Sequence, residues 1–416
     1  MISARRNAIH AEPAAPGLPM WGVAAQLAVI YMLSTIPTPL YSIYQQHFHF
    51  SKVVLTLIFA VYVIGTVAAM FFLGRLSDQV GRRPVVLWAL FIGAIDALVF
   101  LAANGTAWLF AARILSGLAI ALSAGASTAW IVELEPQHDK ARATRVAMGV
   151  NLAGLGLGSL CAGLLAQYVP DGMKMVFLCY LILLQFTAVI IATCPRTILN
   201  PRPLREVSLR PRFGIPREIR SRFVAPAVAA FATLSVIGFY SGLIPELLTR
   251  VFGEVNHALA GGVVAGLFFV GVCSVVVTAS LDSRTGLLAS LGFLVPGIGL
   301  LALAELLKSF SLLILGTIVA GLATGPAFLF SLRAVNEMSP ADRRAEVVSS
   351  YLIVCYCGNS LPVIGIGLLA RATTARLADF VFAGVIVLLA LIAFIVEWKS
   401  PPKDNSMRDS AGPFDT

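Results

Sequence analysis

Charge is scarce in this chain of 416 residues: Asp, Glu, Lys and Arg make up 12% of it, against 58% apolar residues and a mean hydropathy of +0.87. That much apolar surface cannot be hidden in a water-soluble core, so the class is integral membrane protein. Histidine is scarce, and His10, His47, His49, His138 and His257 all fall in tails or loops. Without an acid/base pair or metal cluster inside the apolar segments, a membrane enzyme is disfavoured and no catalytic residue is assigned. His47 and His49 near the outer face could bind a metal, but two residues apart they diverge on a helix, and a solvated loop is the favoured reading. Cys161, Cys179, Cys194, Cys273, Cys355 and Cys357 sit in or beside apolar segments without metal-ligand spacing, so they act as small hydrophobes and imply neither disulfides nor redox chemistry. There is no GxxxxGK[ST] phosphate loop to power an ATP-driven pump and no filter motif for a channel. No cofactor is implied. Residues 1–19 carry Arg5, Arg6 and three prolines but no apolar core with a cleavage site, and they are expected to be a cytoplasmic tail.

What is abundant is the long apolar run. A span needs about 20 such residues, and candidate runs begin near Met20, Val53, Val85, Ala107, Thr144, Met173, Phe223, Ala258, Gly286, Phe310, Val347 and Asp379. Twelve transmembrane helices are expected, because the alternating pattern of a membrane barrel is missing and lipid leaves the backbone no other way to satisfy its polar groups. The fold class is therefore all-α membrane protein.

Lys and Arg concentrate on one set of loops, with Arg75, Arg82, Arg83, Lys140, Arg142, Arg145, Arg284, Arg333, Arg343 and Arg344 on it. The other set holds only Lys52, Lys174, Arg250, Lys308, Arg371 and Arg376. Positive charge is retained in the cytoplasm, so both termini are expected inside a cell (inner or plasma) membrane. The net charge of +9 follows from this bias and from anionic headgroups, and nucleic acid is not needed as a partner.

Residues 195–222 hold eight arginines and five prolines and read as a cytoplasmic linker. It separates a bundle at 20–194 from another at 223–398, with a tail at 399–416. An ungapped offset of 204 (282 − 78) pairs Asp78 with Asp282, Gly117 with Gly321, Glu133 with Glu337, Pro136 with Pro340, Ala141 with Ala345 and Gly154 with Gly358. A slightly different offset pairs Ile36-Pro37 with Ile244-Pro245. Two six-helix, pseudo-symmetric halves are expected, of the kind that hold substrate near the midplane between parallel repeats.

The loop between the second and third spans reads GRLSDQVGRRP, Gly74 to Pro84. Its Gly74, Asp78, Gly81, Arg82 and Arg83 resemble the loop signature of the major facilitator superfamily of transporters, and with the repeat the resemblance covers nearly the whole chain. The glycines allow a tight turn, and Asp78 at a helix end can accept from arginines or from backbone N–H groups. That makes a cytoplasmic latch which breaks as the halves rock. Asp282 and Arg284 keep part of the signature in the second copy. Glu133, with Arg142 or Arg145, and Glu337, with Arg343 or Arg344, either join this gating network or form ordinary surface pairs.

Arg113 lies about a turn and a half into the fourth span, where an arginine must be paired or hydrated. Its spacing to Gly117 resembles the fourth-helix signature of proton-coupled members, in which the arginine is implicated in proton transfer; the rival is snorkelling to the outer headgroups. Asp96, at similar depth in the third span, is a candidate partner: either a proton carrier whose pKa moves with conformation, or half of a static pair. Tyr31, Ser34, Thr35 and Thr38 share a face of the first span, and Asn151, Tyr240, Glu246 and Asn359 are further polar groups in apolar surroundings. They either line a substrate path or join helices. The glycine run of the fifth span, at 149, 154, 156, 158 and 163, resembles the antiporter signature, with Ser159 where exporters usually carry proline.

The resemblance implies a secondary transporter working by alternating access as a functional monomer. It is expected to be a proton-coupled exporter of a small organic or amphipathic molecule similar to the drug:proton antiporters, with import of a sugar, organic acid or other nutrient as the alternative.

Overall fold

The computed structural model describes residues 17–198, 206, 214–340 and 342–399. The expected tails beyond 17 and 399, and most of the expected linker, lie outside the described residues. Among the described residues every regular element is helical, as a chain without water to satisfy its backbone requires. Among the described residues, twelve helices are long and apolar enough to cross a bilayer.

Several of the helices begin where the sequence supplies a side-chain acceptor for their free N–H groups. Helix α1 (Leu18–Thr35) leads through a short 3₁₀ turn to α2 (Tyr41–Phe48). Ser51 caps α3 (Lys52–Leu73) and Asp139 caps α7 (Lys140–Tyr168). Between them lie α4 (Leu76–Val80), α5 (Arg82–Leu101) and α6 (Thr106–Glu133), and α8 (Gly172–Thr193) follows. Beyond α9 (Arg220–Leu247), Asn256 caps α10 (His257–Thr278), Asp282 caps α11 (Ser283–Leu307) and Ser309 caps α12 (Phe310–Met338). The chain ends in α13 (Arg344–Ala372) and α14 (Ala375–Lys399).

Contacts gather the chain into two compact units, Met1–Arg212 with Phe239–Ala279, and Phe213–Gly238 with Ser280–Thr416. The repeat and the contacts thus draw the dividing line differently. Segment 239–279 joins the first unit because α10 lies close against α7 through small residues. A Cβ on Gly261 would stand 2.4 Å from the Ser159 carbonyl oxygen, and one on Gly163 would stand 2.5 Å from that of His257.

Within the first unit α6 packs on α1, α3 and α5, and α7 packs on α1. Gly154 is where α7 meets α1, since a Cβ there would lie 2.2 Å from the Ala28 carbonyl oxygen. Its repeat mate Gly358 does the same in the second unit, where α13 meets α9 with 2.6 Å to the Phe231 oxygen. Each crossing also carries a hydroxyl donor: Thr35 to the Leu155 carbonyl at 2.6 Å, and Ser235 to the Gly358 carbonyl at 3.0 Å. The repeated glycine is thus a packing requirement met twice.

The first unit also holds a closed polar network. Gln26 of α1 donates to Ser123 at 2.8 Å and accepts from Ser127 at 2.6 Å, all three fully buried. Every member has a partner, so the network ties α1 to α6 without leaving a polar group stranded.

Candidate functional site

The Gly74–Pro84 loop turns on Gly81, whose φ of 110° is a conformation that side chains resist. That turn places Arg82 at the start of α5 with its guanidinium over α4. Its Nη1 donates to Ser77 at 2.8 Å and to Asp78, while Nε and Nη2 both donate to Glu133 Oε1, at 3.1 and 3.0 Å. Arg82 is the hub, and its side chain is 11% exposed against 57% for Asp78. The expected pairing of Glu133 with Arg142 or Arg145 is corrected: Glu133 is held by Arg82 and Thr197. Arg142 instead meets Glu135 at 3.1 Å. Glu135 also accepts from the N–H groups of Gln137 and Asp139. Gly74 ends α3, and Arg83 reaches the Cys194 carbonyl oxygen only at 3.5 Å.

The second copy keeps Asp282 and Glu337 but has Gly286 at the place of Arg82. Ser283 donates to Glu337 at 2.8 Å where the first copy uses Arg82 and Glu133. Asp282 accepts from the Thr285 N–H at 2.9 Å as a helix cap, a bond that holds its carboxyl below the usual carboxylate range. Arg284 donates to the Trp398 carbonyl, and Arg343 pairs with Glu346. Because Arg82 joins three side chains and Glu133 is one partly exposed partner, Arg82→Ala is expected to lower stability more than Glu133→Ala. The Glu133 loss should stay within about 1 kcal/mol, and thermal melts of detergent-solubilised variants measure both.

Toward the other end of the first unit lie two charges buried from the molecular surface. Asp96 on α5 and Arg113 on α6 are both 0% exposed. Arg113 donates from Nη1 to the Ser34 carbonyl at 3.1 Å and from Nη2 to the Phe59 carbonyl at 3.4 Å. Its guanidinium lies 4.8 Å from the Tyr62 ring centroid and 5.7 Å from that of Phe59. An arginine so enclosed by α1 and α3 does not snorkel, which removes that alternative. Asp96 Oδ1 accepts from Ser116 at 3.0 Å, and Ser116 stands one turn from Arg113 on α6. Asp96 and Arg113 are thus brought to the same stretch of α6 without a direct hydrogen bond between them.

The polar residues expected along a substrate path separate into groups. Thr35 and Thr38 are fully buried and join helices, Thr38 by donating to the Ser241 carbonyl at 2.7 Å. Glu246 pairs with Lys52 at the end of α3 far from the Gly74 loop. Tyr240 is fully buried with its ring edge-on to Phe239, and Asn359 is 4% exposed. Tyr31 and Asn151 keep partial exposure. Gln26, Glu135 and Ser116 carry polar contacts that the sequence does not single out. Glu135 had a local signal, a carboxylate two residues before the first free N–H groups of a turn.

Among the described residues no group of three or more His, Cys, Asp or Glu side chains is placed to hold a metal ion. A family model for the Major Facilitator Superfamily matches residues 23–307. The multidrug resistance protein MdtL of Salmonella dublin is 27% identical over 327 residues, spanning 75% of this chain and 78% of that protein. The class C tetracycline resistance protein of Escherichia coli is 31% identical over 193 residues, 44% of each chain. Among solved structures, the nucleoside transporter NupG is similar in fold with a TM-score of 0.69 at 15% identity, covering 90% of this chain and 99% of that one.

Proposed function

The chain belongs to the Major Facilitator Superfamily, and from that membership we propose a proton-coupled exporter of a small organic or amphipathic molecule. As a member it is a multi-pass transporter of small molecules. Outward direction is supported by the sequence likeness to a multidrug resistance protein and a tetracycline resistance protein. The observation that carries proton coupling is the burial of Asp96 beside the stretch of α6 that holds Arg113. A carboxyl in low dielectric responds strongly to the distance of its one nearby cation, and that distance changes when α5 and α6 shift.

The protein sits in the cell membrane as a monomer with both termini in the cytoplasm, which places the Arg82 hub on the cytoplasmic side. There Ser77, Asp78, Arg82 and Glu133 brace the α3–α5 turn in one conformation, and their exchange of partners is the switch for alternating access. Tyr31 and Asn151, the partly exposed members of the polar set in the first unit, are the substrate contacts this assignment favours.

The test is accumulation of dyes, antibiotics, sugars and organic acids in proteoliposomes under an imposed pH gradient, with Asp96→Asn and Arg113→Ala alongside the native chain. Gradient-driven extrusion from the cytoplasmic side that both substitutions abolish is the expected result. Gradient-driven uptake would replace export with nutrient import, and full coupling in both variants would reduce the two charges to structural roles.

A further inference from the structure

Among the described residues, four buried polar atoms without a protein partner belong to one neighbourhood: Tyr41 Oη, Tyr44 Oη, Asp96 Oδ2 and Arg113 Nε. Tyr41 interacts electrostatically with both Arg113 and Asp96, and Tyr44 with Asp96 and Tyr41. The Tyr44 ring also packs 6.3 Å from that of Phe100, one turn along α5 from Asp96. Each of the four residues is at most 2% exposed. Their chemistry is complementary: a carboxylate oxygen accepts, a guanidinium Nε–H donates, and a phenol does either.

Buried polar atoms are rarely left unpaired, and when protein does not pair them ordered water does. Other buried tyrosines show the contrast. Tyr180 donates to the Val29 carbonyl at 3.1 Å, and Tyr351 shares a 2.7 Å bond with Ser331. Tyr41 and Tyr44 have no such acceptor, yet Tyr41 feels the charges of both Arg113 and Asp96 and Tyr44 that of Asp96. We propose that these four atoms line an internal water site that joins Asp96 to Arg113, with the phenols of Tyr41 and Tyr44 as its remaining ligands. The water completes the carboxylate's hydrogen bonding and links the two charges without bringing them into contact. Its further role as the group that exchanges a proton with Asp96 rests on the proton-coupled function above; the site itself does not. The titratable and polar groups that face Asp96 are then Arg113 and Ser116 on α6, Tyr41 and Tyr44 on α2, and Tyr180 on α8.

Hydroxyl-radical footprinting by X-ray radiolysis in ¹⁸O-water tests this on the native full-length chain in nanodiscs, because bound water labels the side chains it touches even when they are buried. Tyr41 and Tyr44 are expected to be modified roughly tenfold faster than Tyr180 and Tyr351, as residues in contact with ordered water. Rates equal to those of Tyr180 and Tyr351 would overturn the site. Infrared spectroscopy supplies a second, independent readout. The carboxyl band that disappears in Asp96→Asn is expected to shift in Tyr41→Phe and in Tyr44→Phe, substitutions that keep the ring and remove only the hydroxyl. A band unmoved in both would equally overturn the proposal. Neither measurement involves a transported substrate, so a failure of the exporter assignment leaves this test standing.

Discussion

Gly117→Ala is expected to destabilise the protein relative to Gly125→Ala by about 1 to 3 kcal/mol, the range of an overpacked core. Both glycines lie in α6, so the gain in helix propensity from adding a methyl group is common to the two and cancels in the difference. Their surroundings are not alike. At Gly117 the new Cβ would stand 1.9 Å from the Tyr62 carbonyl oxygen and 2.8 Å from the Thr66 nitrogen, backbone atoms of α3 that cannot step aside. At Gly125 it would meet nothing within 4 Å. Thr66 adds to the crossing by donating to the Gly117 carbonyl at 3.2 Å. The effect should extend beyond stability, because α6 also carries Arg113 and Ser116, and pushing α3 away moves the Phe59 carbonyl that Arg113 holds. Thermal unfolding of the two variants in the same detergent decides the matter. Equal midpoints would mean that α3 and α6 are not in the contact described.

Arg113→Met is expected to be the most damaging single substitution at the buried charges, costing about 3 to 5 kcal/mol as when one partner of a buried pair is removed. Methionine roughly replaces the stem but strips two carbonyl oxygens, of Ser34 and Phe59, of a donor and leaves Asp96 without its nearest cation. Arg113→Lys should recover only part of the loss. An ammonium on a flexible stem does not span two carbonyls on different helices and lie against two aromatic faces as the planar fork does. Adding Asp96→Asn to Arg113→Met is expected to restore stability by about 1 to 3 kcal/mol, the coupling of neighbours in one network. A strictly additive double variant would show that the two charges do not sense each other. Transport driven by a pH gradient should stay lost in the double variant, since stability is repaired while the ionisable pair is gone.

The parts of this protein legible in the sequence are those written in short-range or periodic terms. Apolar runs of span length announced the helices, and caps such as Ser51, Asp139, Asn256 and Asp282 mark where four of them start. The 204-residue offset picked out Gly154 and Gly358, which the structure explains as twin close approaches. Arg113 and Asp96 stood out because charge inside an apolar run is costly, whatever surrounds it.

Partners were a different matter. Glu133 is near Arg142 and Arg145 in sequence, yet Arg82, fifty-one residues away, holds it. Gln26 finds its partners, Ser123 and Ser127, on α6, far from it in the chain. Thr35 and Thr38 share a helical face with Tyr31, and the pattern alone could not tell that their hydroxyls would be consumed by the Leu155 and Ser241 carbonyls.

By itself, then, the sequence determined the membrane class, the helical spans, the two-fold repeat and the positions of the costly groups, because each follows from local composition and the solvent it must face. Only the tertiary structure decided which carbonyls receive Arg113, that Ser116 serves Asp96, that Arg82 rather than Asp78 is the hub of its loop, and that α7 and α10 lie close together. Those outcomes depend on distances between helices far apart in the chain. Such distances are set by how small residues let backbones approach, which no single stretch of sequence contains.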